Sequence, residues 1–164
     1  MPPLSPVPGF AAWLDQQAAE GDDEATELVE LLDVAGWVDD AGRRERHAEL
    51  IVALAASYFL DATRPDGSPI DPVARFHLGN GASLDRIIFG ADPSPKGIAQ
   101  SASVMVNYRY DLAEVESRHQ AYVSSGVVHI SKEVRSLLDE ANKNASKKGG
   151  NIAEPPNGDS PASG

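Results

Sequence analysis

An α+β fold, mostly helical with at least one β-strand at about residues 83–89, is what this sequence predicts, on three observations. Apolar residues recur at three- and four-residue spacing through six segments, the pattern of amphipathic helices. One stretch, SLDRIIF, instead carries β-branched and aromatic residues between turn signals. From Lys143 onward apolar residues almost vanish, so the foldable part is shorter than the chain's 164 residues.

Taken in order, Pro2, Pro3, Pro6 and Pro8 hold the first nine residues extended, because each ring fixes its own φ and pushes the residue before it out of the helical region. Ser5 is thereby presented from a stiff segment. Helical patterning runs from about Phe10 to Ala19 and resumes at Asp22, where Asp22, Asp23 and Glu24 suit a helix N-terminus by capping and dipole. Leu28, Leu31, Leu32 and Ala35 form that helix's stripe, and Gly36 ends it. Residues 41–61 pattern as a longer helix, with Leu50, Leu54 and Tyr58 beside Ile51, Ala55 and Phe59 on a face wide enough to be buried. Arg64 to Pro69 reads as a loop.

Asp71 followed by Pro72 is a side-chain cap followed by proline at the first helical position. PVARFHL then makes a helix of barely two turns, stopped by Gly79, Asn80 and Gly81. The strand at 83–89 follows, and ADPSP breaks it. After Ser94 a helix with Ile98, Ala102, Met105 and Leu112 on one side leads into a second piece from about 113 to 124. Gly126 interrupts, and Val127, Ile130, Val134, Leu137 and Ala141 repeat as a last amphipathic helix. A lone strand among six helices has nothing to pair with, and open edges are a liability. The expectation is that another chain pairs with it, or that part of the sheet is missing from the sequence.

Composition excludes several function classes. With 25 acidic and 14 basic residues the net charge is -11, so a nucleic-acid or anionic-membrane surface, which needs a basic face, is not expected. No cysteine occurs, which removes disulfides, thiolate metal sites and thiol nucleophiles and suits a cytoplasmic location. The N-terminus has neither a basic region nor an apolar run of signal-peptide length, and no segment approaches the roughly 18 apolar residues of a membrane span.

Four histidines, His47, His77, His119 and His129, are the natural candidates for chemistry. No two stand three or four residues apart, so a metal site is not expected. His47 and His119 read as solvated, and His129 as lying on the flank of its helix. His77 has Val73 and Gly81 at i-4 and i+4, so part of its surroundings is apolar, and spacing alone favours a half-buried histidine satisfied by a backbone carbonyl over a catalytic one. Ser5 before Pro6 reads by itself as a turn or cap. GNG is too short for a phosphate-binding fingerprint and reads as a helix cap leading into a strand. Tyr108 and Tyr110 read as one core and one boundary residue.

Four blocks add more than spacing does. LSPVPGF (4–10), DPVARFHLGNGASLDRI (71–87), GIAQSASVMVNYRYDL (97–112) and HQAYVSSG (119–126) together resemble the C-terminal part of malonyl-CoA decarboxylases, over about residues 3–140. The resemblance implies a GNAT-like acyl-CoA fold of which this chain is the C-terminal half, with the upstream half of the sheet absent. It implies a partial catalytic domain over 1–142, while the composition beyond it implies a disordered tail over 143–164. The implied reaction is that of a carboxy-lyase of fatty acid metabolism, turning malonyl-CoA into acetyl-CoA and CO2 without a cofactor. Ser5 and His77 match the family's catalytic pair, and Tyr110, the second tyrosine of NYRY, matches a tyrosine of its active-site network. A partner chain or a second copy of this chain would supply the missing sheet. Two other readings stay open on the sequence: a catalytically inactive remnant, and a small acidic helical interaction protein.

Overall fold

A computed structural model of the chain describes residues 4–139. The expected tail over 143–164, and Ala141 of the last predicted stripe, lie outside the described residues. The elements run β1 (Ser5–Pro6), α1 (Phe10–Ala19), α2 (Asp23–Leu32), a 3-10 turn (Trp37–Asp39), α3 (Ala41–Asp61), α4 (Pro72–Gly79), β2 (Ser83–Phe89), α5 (Pro95–Ser101), β3 (Val104–Arg109), α6 (Val115–Ser125) and β4 (His129–Ile130). Residues 132–139 form a further helical stretch, α7.

The four strands make one sheet in the order β1-β3-β2-β4. β2 and β3 pair antiparallel from Ser83↔Arg109 to Phe89↔Val104, with an irregularity between Leu84 and Arg86. β1 adds two residues to β3, Ser5 opposite Val106 and Pro6 opposite Met105, and β4 lies parallel to the start of β2. The expectation of a single unpaired strand is therefore corrected, since β2 has neighbours on both sides. Past these two-residue edge strands, the outer sides of β2 and β3 have no strand neighbour among the described residues.

The physical reason for the missed strand lies at Ala102 and Ser103. Both adopt left-handed backbone, with φ of 52° and 68°, and the chain turns out of α5 into an extended run. No glycine announces this turn. Ser103 is held there by its carbonyl, which accepts from Gly90 N at 2.9 Å, and by its hydroxyl, which donates to the Asp92 carbonyl at 2.9 Å. The stripe expected across Ile98, Ala102, Met105 and Leu112 consequently does not exist, and Leu112 is 95% exposed. The same kind of correction applies after Gly126, where two residues of β4 precede α7 instead of one continuous helix.

The core gathers where α1, α2 and α3 meet the sheet. Leu14, Leu28, Ile51, Phe59, Leu84, Val104 and Val106 are fully or almost fully buried. Phe10, Trp13, Tyr58 and Phe59 form a chain of rings with centroids 5.4–6.1 Å apart, an arrangement that adds to simple burial. Trp37 lies flat on Phe89 at 5.6 Å, closing the far end of β2. Among the described residues no helix is long and apolar enough to cross a membrane.

Candidate active site

The short helix α4 carries His77, and both of its ends are determined. Asp71 caps its start, with Oδ2 accepting from Ala74 N at 2.8 Å, and Pro72 occupies the first turn, where no N–H is needed. At the other end the His77 carbonyl accepts from the N–H groups of Asn80 and Ala82, both at 3.1 Å, and Asn80 Nδ2 donates to the Phe76 carbonyl. Gly81 turns the chain at φ +95°, and a Cβ there would run into the Val115 carbonyl of α6. GNG is thus a helix cap leading into β2, and Gly81 also admits the neighbouring helix.

His119 is exposed, as expected of it, but it is not idle. Its Nδ1 lies 2.7 Å from the Gly79 carbonyl, which can only accept, so Nδ1 carries the proton and donates. The Tyr122 ring packs at the same glycine. Together they dock α6 on the end of α4. His47, read as solvated, instead bonds the Arg43 carbonyl through Nδ1 and lies 3.3 Å from Glu27 through Nε2, joining α3 to α2. His129 belongs to β4 and not to a helix.

His77 is half-buried, but its partner is not a backbone carbonyl. Its ring lies over the ring of Tyr108, with centroids 4.5 Å apart and planes 19° from parallel, and its Nδ1 is 2.8 Å from Tyr110 Oη. Phe76 meets its edge at 5.2 Å. Tyr108 is 7% exposed, and its hydroxyl has no hydrogen-bond partner among the described residues. Burial lowers the His77 pKa from 6.5 and raises that of Tyr110, so at neutral pH an uncharged imidazole faces an uncharged phenol. Tyr108 is pushed further up, first by burial and then by the nearby charge of Asp71.

Ser5 joins this group through the sheet. It stands opposite Val106, and paired residues of antiparallel strands project to the same side. Val106 and Tyr108 are two residues apart on β3, so Ser5 and Tyr108 share a face as diagonal neighbours. The side chain of Ser5 has no hydrogen-bond partner among the described residues, and none links it to His77. Its segment is fixed just beyond: Val7 N donates to Ser101 Oγ at 3.1 Å, and Tyr58 Oη donates to the Pro8 carbonyl at 3.2 Å.

Of the three residues singled out in the sequence, His77 and Tyr110 are in direct contact, and Ser5 stands on the same face without touching them. Sequence reasoning missed Tyr108 as the platform under His77. The signal for it was present in NYRY, where alternate residues of a strand share a face, but it is readable only once β3 is known to be a strand. Among the described residues no group of three or more potential ligands gathers to hold a metal ion.

The family described as Malonyl-CoA decarboxylase C-terminal domain matches residues 2–148. The mitochondrial malonyl-CoA decarboxylase of Anser anser anser is 33% identical over 87% of this chain and 32% of its own length. That of Rattus norvegicus is 31% identical over 87% of this chain and 33% of its own. Crystal structures of malonyl-CoA decarboxylase from Rhodopseudomonas palustris and Agrobacterium vitis superpose with TM-scores of 0.77 and 0.73, at 47% and 41% identity. Each covers 82% of this chain, against 32% and 34% of the solved chains. The chain therefore spans about a third of the length of the relatives it matches.

Proposed function

The chain belongs to the malonyl-CoA decarboxylase C-terminal domain family, and from that premise we propose that it carries the proton-delivery part of a GNAT-like decarboxylation site. The substrate is malonyl-CoA and the products are acetyl-CoA and CO2. The observation that carries this reading is the contact of His77 Nδ1 with Tyr110 Oη at 2.8 Å, stacked on Tyr108 and facing the same side of the sheet as Ser5.

The reaction breaks the bond from C2 to the carboxylate carbon. The electron pair moves into the thioester carbonyl, so no cofactor is needed to accept it. The resulting enolate must be stabilised at oxygen and protonated at C2. A hydrogen-bond donor at that oxygen contributes about two to three powers of ten in rate, and the Ser5 hydroxyl, with no hydrogen-bond partner among the described residues, is suited to orient the carboxylate or the thioester. With Tyr110 donating to Nδ1, the His77 proton sits on Nε2 and is available to C2. As Nε2 gives it up, Tyr110 passes its own proton to Nδ1. Tyr110 is 43% exposed and recovers a proton from solvent. Burial lowers the His77 pKa and so favours the uncharged ring from which this relay starts.

The CoA-holding segment comes, in this reading, from chain upstream of the matched region or from a partner chain or second copy, which would also cover the open sheet edges. A cytoplasmic location is part of the same reading and rests on the cysteine-free sequence; the animal relatives are named mitochondrial.

The test is turnover of malonyl-CoA, read as CO2 release, with the upstream half supplied in cis or in trans. His77→Asn is expected to bind CoA normally and to lower kcat by roughly 10² or more. Ser5→Ala is expected to lower kcat as well, and the double variant to be little worse than the worse single one, since groups acting as a unit are not additive. His47→Gln, in the α2–α3 contact, serves as the control. A folded, saturable His77→Asn protein with near-normal kcat overturns the assignment.

A further inference from the structure

Asp71 caps α4, but a helix cap does not require what surrounds it. Asp22 and Asp40 cap α2 and α3 through the same kind of bond, from Ala25 N and Arg43 N, and they are half-buried and exposed respectively. Asp71 is fully buried. Taking a carboxyl group out of water is costly unless its hydrogen bonds are specific, so burial at this one cap needs a reason.

The second oxygen indicates one. Asp71 Oδ1 lies 3.4 Å from Tyr58 Oη, and that same hydroxyl lies 3.2 Å from the Pro8 carbonyl. The phenol has one proton and two acceptors, one on the helix that bears His77 and one on the segment that bears Ser5. Gly9 passes so close that a Cβ there would stand 2.8 Å from Tyr58 Oη, and its φ of +95° suits glycine alone. Ser5 lies three residues before Pro8, and His77 six residues after Asp71.

We propose that Asp71 is a positioning residue of the decarboxylation site, holding the His77 helix by its cap and the Ser5 segment through Tyr58, so that one buried carboxyl group sets the spacing of both. This rests on the reading of Ser5 and His77 as the working pair. The link is short and internal. Asp71 touches the first turn of α4, and Tyr58 belongs to α3, whose packing against β2 fixes where the phenol stands. Burial also places Asp71 near the buried Tyr108, on whose ring His77 rests, so its charge reaches the same platform.

The experiment compares Tyr58→Phe, Asp71→Asn and Asp71→Ala in the chain reconstituted with the upstream half, by NMR with this chain alone isotope-labelled and then by turnover. Tyr58→Phe keeps the ring packing and removes only the shared hydroxyl. It is expected to stay folded while the Ser5 and Val106 amide signals shift and their cross-strand NOE weakens. Turnover is expected to fall about 10- to 100-fold in kcat with KM within about twofold, the scale of a small misplacement of reacting groups. Asp71→Asn, which can still cap, should recover part of what Asp71→Ala loses. A folded Tyr58→Phe protein with the Ser5–Val106 NOE and the His77 ring signals unchanged overturns the proposal, as does a loss of stability with kcat intact. The NMR readout does not depend on activity. If Ser5→Ala and His77→Asn keep their kcat, the functional reading fails, while the coupling of the two segments is still decided by the NOE.

Discussion

A histidine in the last turn of a helix ordinarily gains from the helix dipole, which favours the cation. His77 occupies that position in α4, yet burial over Tyr108 acts against the cation and lowers its pKa from 6.5. A proton NMR titration is expected to give a midpoint for His77 below that value, and a midpoint above it would show that the dipole wins. Asp71 moves the other way: burial pushes it up to about 6, against the N–H groups of Ala74 and Val73, the Tyr58 hydroxyl and the charge of Arg75, which all favour the carboxylate. The two groups have opposite signs in stability. His77 binds its proton less readily in the folded protein, so its contribution is full above 6.5 and is lost as pH falls from there through its lower folded value. Asp71 binds its proton more readily when folded, so its contribution is full below about 3.8 and is lost as pH rises through about 6. From about pH 5 to pH 7 the loss from Asp71 amounts to roughly 1 kcal/mol. Urea unfolding of the wild-type chain and of Asp71→Asn at both pH values tests this, because the stability difference between them should shrink by that amount as pH rises.

Between elements, the decisive contact is α6 on the end of α4. Gly81 combines a left-handed backbone with a Cβ position already occupied by the Val115 carbonyl, whereas Gly21, at φ +101°, has nothing within 4 Å of its Cβ position. Gly81→Ala is therefore expected to cost about 2 kcal/mol or more, and Gly21→Ala only about 1, the backbone part alone. Equal losses in thermal or urea unfolding would show that α6 yields. His119→Ala removes the donor to the Gly79 carbonyl and should cost about 0.5–1.5 kcal/mol, the usual net value of one hydrogen bond. The position is exposed, yet it is not silent, because a helix-end carbonyl depends on it.

For the whole molecule, the sheet is the feature that reaches outward. Among the described residues β1 and β4 pair with two residues each of β3 and β2, and Phe76 and Leu112 are 64% and 95% exposed. Unpaired strand edges and exposed apolar side chains are the ordinary templates for association. The chain by itself is expected to sediment as an oligomer or aggregate and to turn over malonyl-CoA little or not at all. A monodisperse monomer in analytical ultracentrifugation that decarboxylates malonyl-CoA unaided would contradict both expectations.

Local chemistry settled a large part of this protein in advance. Asp22, Asp71 and Ser94 cap the helices they were expected to start, α3 spans 41–61 as its stripe implies, and SLDRIIF is a strand, because caps, periodicity and β-branching act within a few residues. The roles proposed for Ser5, His77 and Tyr110 rest on the likeness of their blocks to a family, not on any local pattern. Tertiary structure decided the rest. VMVNYR is a strand because β2 and β1 offer it ladders on both sides, and because Ala102 and Ser103 accept a left-handed turn that no glycine marks. Tyr108 became the floor under His77, and Asp71 became more than a cap, for the same reason. Each depends on a residue more than ten positions away in sequence, Tyr108 on His77 and Asp71 on Tyr58, and contacts at that range leave no period in the chain from which they can be read.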